Sequence, residues 1–216
     1  QPDQNRTRSI LAFTCFSAWL IAFPYEGKVL YALLARAGVE SGVWITAAIA
    51  AHLAGLLACM LFVRSLSGAR RMLLLSAAVC LGGTALFVFS APLLLIITLL
   101  IISFFAGLFI CAWSWFFREY TPGGARMDTA AKTLAFSALI MIFINLCVRY
   151  VSVWLALGLC ALLLGLVLLF VHRIRLEAPQ QPQAVAPAPL TLPQMAEPIS
   201  YFQPLAALCV FIFVIT

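Results

Sequence analysis

The chain has 216 residues, 65% of them hydrophobic and 9% of them charged, with a formal net charge of +6 at pH 7. Soluble globular domains carry about 25% charged residues, so this composition excludes an ordinary soluble domain and predicts an integral α-helical membrane protein whose partner is the lipid bilayer. The positive charge does not indicate a nucleic-acid partner within this sequence, because the placement of basic residues in a membrane protein reports its orientation.

Six long apolar stretches predict six transmembrane helices, since about 20 apolar residues cross the hydrocarbon core of a bilayer. The predicted spans cover residues 10–34, 43–63, 72–90, 93–117, 133–148 and 153–171. A seventh apolar stretch begins at residue 201 and runs to the end of the sequence. The predicted fold is therefore all-α, a polytopic membrane helix bundle with six transmembrane helices and the start of a seventh.

The predicted domains follow from these spans. Residues 1–172 form a six-helix membrane bundle, residues 173–200 form a linker, and residues 201–216 begin a second, truncated bundle. The linker contains six prolines among its 28 residues, a composition typical of an extended or disordered connection. The sequence does not begin with Met and ends inside an apolar stretch, and both features suggest a fragment of a longer protein.

An acidic residue interrupts the first predicted span. Glu26 lies about 6 Å along the helix axis from the middle of this span, and an acid at that depth is costly unless it is paired, protonated or facing water. Pro24 removes a backbone donor and predicts a kink just before it. Glu26 is therefore a candidate for a protonatable or substrate-binding group. In the alternative interpretation it is an interfacial residue beside the kink, with Lys28 reaching toward the headgroups.

Three further polar residues within the spans are candidates for a solute or proton site. His52 lies at the centre of the second span, where it either relays protons or packs with a hydrogen bond to a neighbouring carbonyl. Asn145 and Arg149 are four residues apart and share a face of the fifth helix. Because Arg149 and Glu26 both lie in the outer halves of their spans, an ion pair between them is a hypothesis based on depth.

The basic residues predict the orientation of the bundle. If the N-terminus is cytoplasmic, the outer side carries three basic residues: Lys28, Arg36 and Arg149. The inner segments then carry ten: Arg6, Arg8, Arg64, Arg70, Arg71, Arg118, Arg126, Lys132, Arg173 and Arg175. Cytoplasmic loops are enriched in Lys and Arg, so the N-terminus is predicted to be cytoplasmic.

Other patterns indicate packing rather than chemistry. Small residues recur every four positions at Ala51-Gly55-Cys59 and at Ser103-Gly107-Cys111, a pattern that lets membrane helices approach closely. Trp113 and Trp115 are predicted to lie at the inner interface. The seven cysteines all lie in apolar runs without a Cys-x-x-Cys pair, and they are interpreted as packing residues.

The layout resembles the first half of a major facilitator superfamily protein, which has six spans, a long cytoplasmic linker and six more spans. The segment from Arg64 to Arg71 is similar to the family's loop between the second and third helices, of the form G-x-x-x-D-R-x-G-R-R. Gly68, Arg70 and Arg71 match, whereas Ser65 or Leu66 stands near the place of the Asp. The segment from Glu119 to Arg126 is similar to the acidic, proline and arginine connection after the fourth helix. The resemblance implies two inverted three-helix repeats in a facilitator-type bundle.

The resemblance implies a secondary transporter of a small solute in a bacterial inner membrane, with Glu26, His52, Asn145 and Arg149 as the polar groups available to its cavity. An alternative resemblance is to the membrane sensor domain of regulators that carry a LuxR-type helix-turn-helix, and a third interpretation is a structural membrane subunit. The sequence contains no phosphate loop, metal-ligand spacing or catalytic triad. It therefore predicts no enzyme activity, no catalytic residue, no metal site and no cofactor.

Overall fold

The computed structural model describes residues 2–25, 27–89 and 91–174. These residues form seven α-helices, and no β-strand occurs among them. The helices are α1 (Pro2–Leu20), α2 (Lys28–Arg36), α3 (Ser41–Phe62), α4 (Leu66–Leu86), α5 (Pro92–Tyr120), α6 (Arg126–Tyr150) and α7 (Val153–His172). A π-helical turn, Ile21–Tyr25, follows α1, and a 3₁₀ turn, Gly123–Ala125, precedes α6. Most of the predicted linker and the predicted seventh span lie outside the described residues.

Six helical segments of the described chain are long and apolar enough to cross a membrane, which confirms the prediction of an all-α fold with six spans. The first span, Asp3–Arg36, contains α1, the π-helical turn and α2. The other five spans correspond to α3, α4, α5, α6 and α7. The 22 residues of α3 extend about 33 Å at about 1.5 Å per residue, enough for a hydrocarbon core of about 30 Å.

Several helices extend further than the apolar stretches predicted. The segment from Arg64 to Arg71, predicted as a loop, contributes most of its residues to the first turns of α4. Ser65 caps this helix, since its hydroxyl accepts a hydrogen bond from the Gly68 amide at 3.1 Å. In the same way α1 begins at Pro2 and α5 continues to Tyr120. Hydropathy identifies the apolar part of a helix, whereas backbone hydrogen bonds and caps determine where it ends.

The six spans pack in a pattern that relates the first three to the last three. The fourth span, α5, packs against α3 and α4, and the first span packs correspondingly against α6 and α7. The remaining large interfaces, α1 with α5 and α4 with α7, each join one span of the first half to its counterpart in the second. One departure occurs, because α6 packs against α7 while α3 and α4 make few contacts. Apart from this departure, each span of the first half has the same neighbours as its counterpart in the second half, with the roles of the two halves reversed.

Aromatic side chains fill the interface between α1 and α5. Phe13 stacks on Trp113 with ring centroids 3.6 Å apart, and Phe16 stacks on Phe109 at 3.7 Å. The Trp113 indole donates to the backbone and side-chain oxygens of Ser9, both at 3.1 Å. Trp113 is only 8% exposed, so its indole is part of the packing between α1 and α5, and its place at the inner membrane interface stays a prediction. A hydrogen-bonded, stacked indole belongs to the packed interior.

The two stripes of small residues meet where α3 crosses α5, and the predicted close approach is confirmed. A β-carbon on Gly55 would clash with the carbonyl of Phe104, and one on Gly107 would clash with the carbonyl of His52. Since the interior of a helix pair has no room for a side chain at these positions, glycine permits the contact. The two helices run in the same register, with Gly55 beside Gly107 and His52 beside Ser103.

Arginine side chains gather at one end of the bundle, where they bind the last carbonyls of two helices. Arg8 donates to the carbonyl of Arg173 at 2.6 Å, and Arg70 donates to the carbonyl of His172 at 2.6 Å. Arg126 donates to the carbonyl of Thr121 at 3.1 Å, just past α5. Such donors satisfy carbonyls that a helix leaves unpaired at its C-terminus, and their charge favours that end of the helix dipole.

Candidate functional site

The candidate site is built around an interruption of the first span. The helix changes to a π-helical turn at Ile21–Tyr25, with Pro24 inside it, and regular helix resumes at Lys28. Proline cannot supply the hydrogen bond that a continuous helix needs, so the backbone must open here. The sequence predicted a kink at Pro24, and the structure has a complete change of helix type. Interrupted helices inside membrane bundles leave backbone groups free to bind ligands.

Gly27 and Asn145 hold the interrupted backbone in place. A β-carbon on Gly27 would overlap the carbonyl of Ala22, so no larger residue fits between the π-helical turn and α2. The side-chain oxygen of Asn145 accepts a hydrogen bond from the Lys28 amide at 3.1 Å. This contact satisfies a free donor at the start of α2 and connects the break to α6. Glu26, which precedes Gly27 in the sequence, is outside the described residues.

A cluster of polar side chains lies beside the break, and we call Tyr25, His52 and Ser103 the polar cluster. His52 Nδ1 lies 3.2 Å from the Ser103 carbonyl oxygen. Because a carbonyl oxygen only accepts, Nδ1 carries the proton in this contact, and Nε2 of the neutral ring remains an acceptor. The Tyr25 ring meets the His52 ring edge to face, with centroids 5.5 Å apart. The cluster thus joins the first span, α3 and α5.

The two hydroxyl groups of the polar cluster are enclosed and face each other. The Tyr25 hydroxyl faces the Ser103 side chain, yet neither oxygen forms a hydrogen bond of good geometry to any described residue. A buried hydroxyl without a partner costs about 1–3 kcal/mol. The arrangement can therefore bind a group that offers hydrogen bonds, and its histidine offers one further acceptor.

The candidates predicted from the sequence occupy different parts of the structure. His52 is buried in the polar cluster and hydrogen-bonded to the Ser103 carbonyl. This is the contact that the packed-histidine alternative predicted. Asn145 supports the break. Arg149 is exposed, and its guanidinium lies 5.8 Å from the ring centroid of its neighbour Tyr150. The ion pair between Arg149 and Glu26 stays a prediction, because Glu26 lies outside the described residues.

Three of the five loop residues that resemble the facilitator motif form hydrogen bonds at the arginine-rich end. The Gly68 amide donates to the cap of α4, while Arg70 and Arg126 bind helix-end carbonyls. Arg71 and Glu119 are exposed. These five residues lie at the opposite end of the bundle from Lys28 and Arg36, and they do not contribute to the polar cluster.

Sequence reasoning missed Tyr25 and Ser103 as site residues. Tyr25 stood next to the more conspicuous Glu26, and Ser103 was counted among the small residues of a packing stripe. One signal was present in the sequence. Ser103 begins its stripe four residues before Gly107, and Ala51, the neighbour of His52, begins the other stripe four residues before Gly55. A parallel alignment of the two stripes on their glycines places these residues side by side.

No protein-family model, no curated protein and no solved structure matches this chain. The inference of function therefore depends on the sequence and on the geometry described above.

Proposed function

We propose that this protein is a secondary membrane transporter of a small solute, built as the N-terminal half of a facilitator-type protein, and that the polar cluster contributes to its solute or proton site. The observation that carries the proposal is the enclosed pair of facing hydroxyls of Tyr25 and Ser103, which form no hydrogen bond to any other described residue, beside His52. Polar groups within membrane spans are costly, and they most often mark substrate or proton pathways. The adjoining break in the first span has the form that transporters use at such sites.

The packing of the helices supports the facilitator-type architecture. The first span packs against α6 and α7 as α5 packs against α3 and α4, which is the neighbour pattern expected of two related three-helix repeats. Inverted repeats of this kind place a binding site near the middle of the membrane. The polar cluster has the corresponding position, since His52 lies at the centre of α3.

The orientation in the proposal places the arginine-rich end in the cytoplasm. Arg8, Arg70 and Arg126 lie at this end together with the last carbonyls of α5 and α7. The other end carries Lys28 and Arg36. The positive-inside rule then gives a cytoplasmic N-terminus.

The proposal predicts that Tyr25→Phe impairs transport while Tyr31→Phe does not. Both changes remove one phenolic hydroxyl from the first span, but Tyr31 is 44% exposed on α2, away from the cluster. The protein is reconstituted in proteoliposomes, and charge movement is recorded on a solid-supported membrane with sugars, amino acids, carboxylic acids and amines. For a solute that gives a signal, we expect Tyr25→Phe to lower the initial rate by about tenfold, the loss of one hydrogen bond of about 1.4 kcal/mol.

Equal rates for the two variants would contradict a role of the Tyr25 hydroxyl in transport. His52→Gln provides a second variant, because its amide can still donate and accept hydrogen bonds but cannot take up a proton as an imidazole does. If His52→Gln also transports normally, the polar cluster is not the transport site.

A second candidate function is the membrane sensor domain of a LuxR-type regulator. The observation that favours it is the capping role of Arg70, which binds the end of α7 in a segment that has no acidic residue between Arg64 and Arg71. A charged latch for alternating access is therefore missing from this segment. A solute that raises the melting temperature of the protein without any flux in proteoliposomes favours the sensor over the transporter.

A further inference from the structure

A pair of cysteines lies one helical turn beyond the glycine crossing of α3 and α5. Cys59 follows Gly55 by four residues and Cys111 follows Gly107 by four residues, so both cysteines continue the stripes that meet at the crossing. Their thiols lie against each other. Six of the cysteines are described as free thiols, and these two are the described pair that faces across a helix interface.

The backbone geometry at this crossing suits a covalent link. A β-carbon on Gly55 would lie 3.3 Å from the Gly107 α-carbon, so the two helices approach almost to backbone contact. A disulfide needs α-carbons about 4.4–6.8 Å apart and side chains that point toward each other. The facing thiols satisfy the second requirement, and the glycine crossing one turn away keeps the two backbones close.

The two thiols differ in access. Cys59 is fully buried, whereas Cys111 is partly exposed. A small neutral oxidant that enters the bilayer can therefore reach the sulfur of Cys111, and the sulfur of Cys59, which lies against it, can act as the resolving thiol. An accessible cysteine beside a resolving cysteine is the arrangement found in redox-sensitive proteins.

We propose that Cys59 and Cys111 form an oxidisable dithiol that small neutral peroxides convert into a disulfide between α3 and α5. The sulfur of Cys111 attacks one oxygen of hydrogen peroxide, the O–O bond breaks, and the leaving oxygen departs as water with the thiol proton. The sulfenic acid on Cys111 is then attacked by the sulfur of Cys59, the S–O bond breaks, and a second water leaves. Two thiols and one peroxide thus give one disulfide and two waters.

The disulfide fastens together the two helices that carry His52 and Ser103. These residues already face each other two turns from the cysteines along the same interface. Oxidation therefore restricts any separation of α3 from α5 at the polar cluster. The chemistry of the thiol pair is independent of the proposed transport function.

The test is the number and identity of thiols lost on oxidation. The full chain, purified under reducing conditions and placed in lipid nanodiscs, is treated with hydrogen peroxide and then denatured for thiol titration. We expect the count to fall from the seven cysteines of the sequence to five, and to return to seven with dithiothreitol. Proteolysis and mass spectrometry of the unmutated protein should identify a peptide that links Cys59 to Cys111.

Matched variants separate this pair from general oxidation. Cys59→Ala and Cys111→Ala should each abolish the loss of two thiols, whereas Cys160→Ala, which removes another buried cysteine, should still lose two. A linked peptide that joins any other cysteines overturns the proposal, as does an unchanged thiol count in the unmutated protein. The peptide map needs no variant, so a variant that fails to fold leaves the test intact.

Discussion

Gly27 determines the path of the first span at the scale of single residues. A β-carbon at this position overlaps the Ala22 carbonyl, because the π-helical turn brings that carbonyl against the backbone before α2. The neighbouring atoms are backbone, so no side-chain rotation can make room. Glycine is therefore required by contact rather than by its dihedral angles.

We predict that Gly27→Ala destabilises the protein by at least about 3 kcal/mol, since overpacking against fixed atoms costs about 1–3 kcal/mol even where side chains can move. Gly158→Ala is the matched control, because a β-carbon there meets no atom within 4 Å. Melting temperatures in detergent, with gel filtration to confirm monodisperse protein, measure both changes. Similar melting temperatures for the two variants would show that the break does not need glycine.

Part of the site could be predicted from single residues and part could not. The sequence identified His52 because a histidine at mid-span is rare, and it offered a carbonyl bond as one alternative. It did not identify Tyr25, since an aromatic residue in an apolar span is unremarkable until its hydroxyl is found enclosed. Such information depends on neighbours that come from other helices.

At the scale of elements, helix ends are fixed by partners from distant parts of the chain. Arg70 in α4 donates to the carbonyls of Val171 and His172 at the end of α7. The next residue, Arg71, is exposed on the same turn. The paired arginines, equivalent in the sequence, therefore have unequal roles, because only one of them reaches α7.

We expect Arg70→Gln to lower the free energy of unfolding by about 1–2 kcal/mol, the value of a charge-assisted hydrogen bond at a partly exposed position. Arg71→Gln removes the same charge and should change it by less than about 0.5 kcal/mol. Thermal melting of the two variants in the same detergent provides the comparison. Equal losses would mean that the charge of the segment matters and the cap on α7 does not.

At the scale of the whole molecule, the number of spans was predictable and their arrangement was not. Apolar stretches such as 93–117 differ so strongly from the polar segments that six spans follow directly from composition. Neighbours cannot be read in this way, because lipid tails are as apolar as the side chains between helices. The aligned glycines of α3 and α5 were the one sequence signal for a specific helix pair.

The orientation proposed for the bundle gives a prediction for the whole chain. In a cysteine-free background, Glu40→Cys and Ser67→Cys introduce thiols at exposed positions near opposite ends of the bundle. A membrane-impermeant maleimide should label Glu40→Cys in intact cells, and should label Ser67→Cys only after the membrane is opened, because basic loops stay inside. The reverse labelling pattern would place the N-terminus outside.

Most large helix interfaces join a span of the first half to a span of the second half, and this has a consequence for synthesis of the chain. The first span, α3 and α4 make few contacts with one another, and their large interfaces are with α5, α6 and α7. When a ribosome has delivered the first three spans, each of them stands in the bilayer largely without its final neighbours. Assembly must then wait for α5, and until it arrives His52 lacks its hydrogen-bond partner, the Ser103 carbonyl. A slow step in translation before α5 therefore prolongs the interval in which the nascent chain is most open to quality-control proteases.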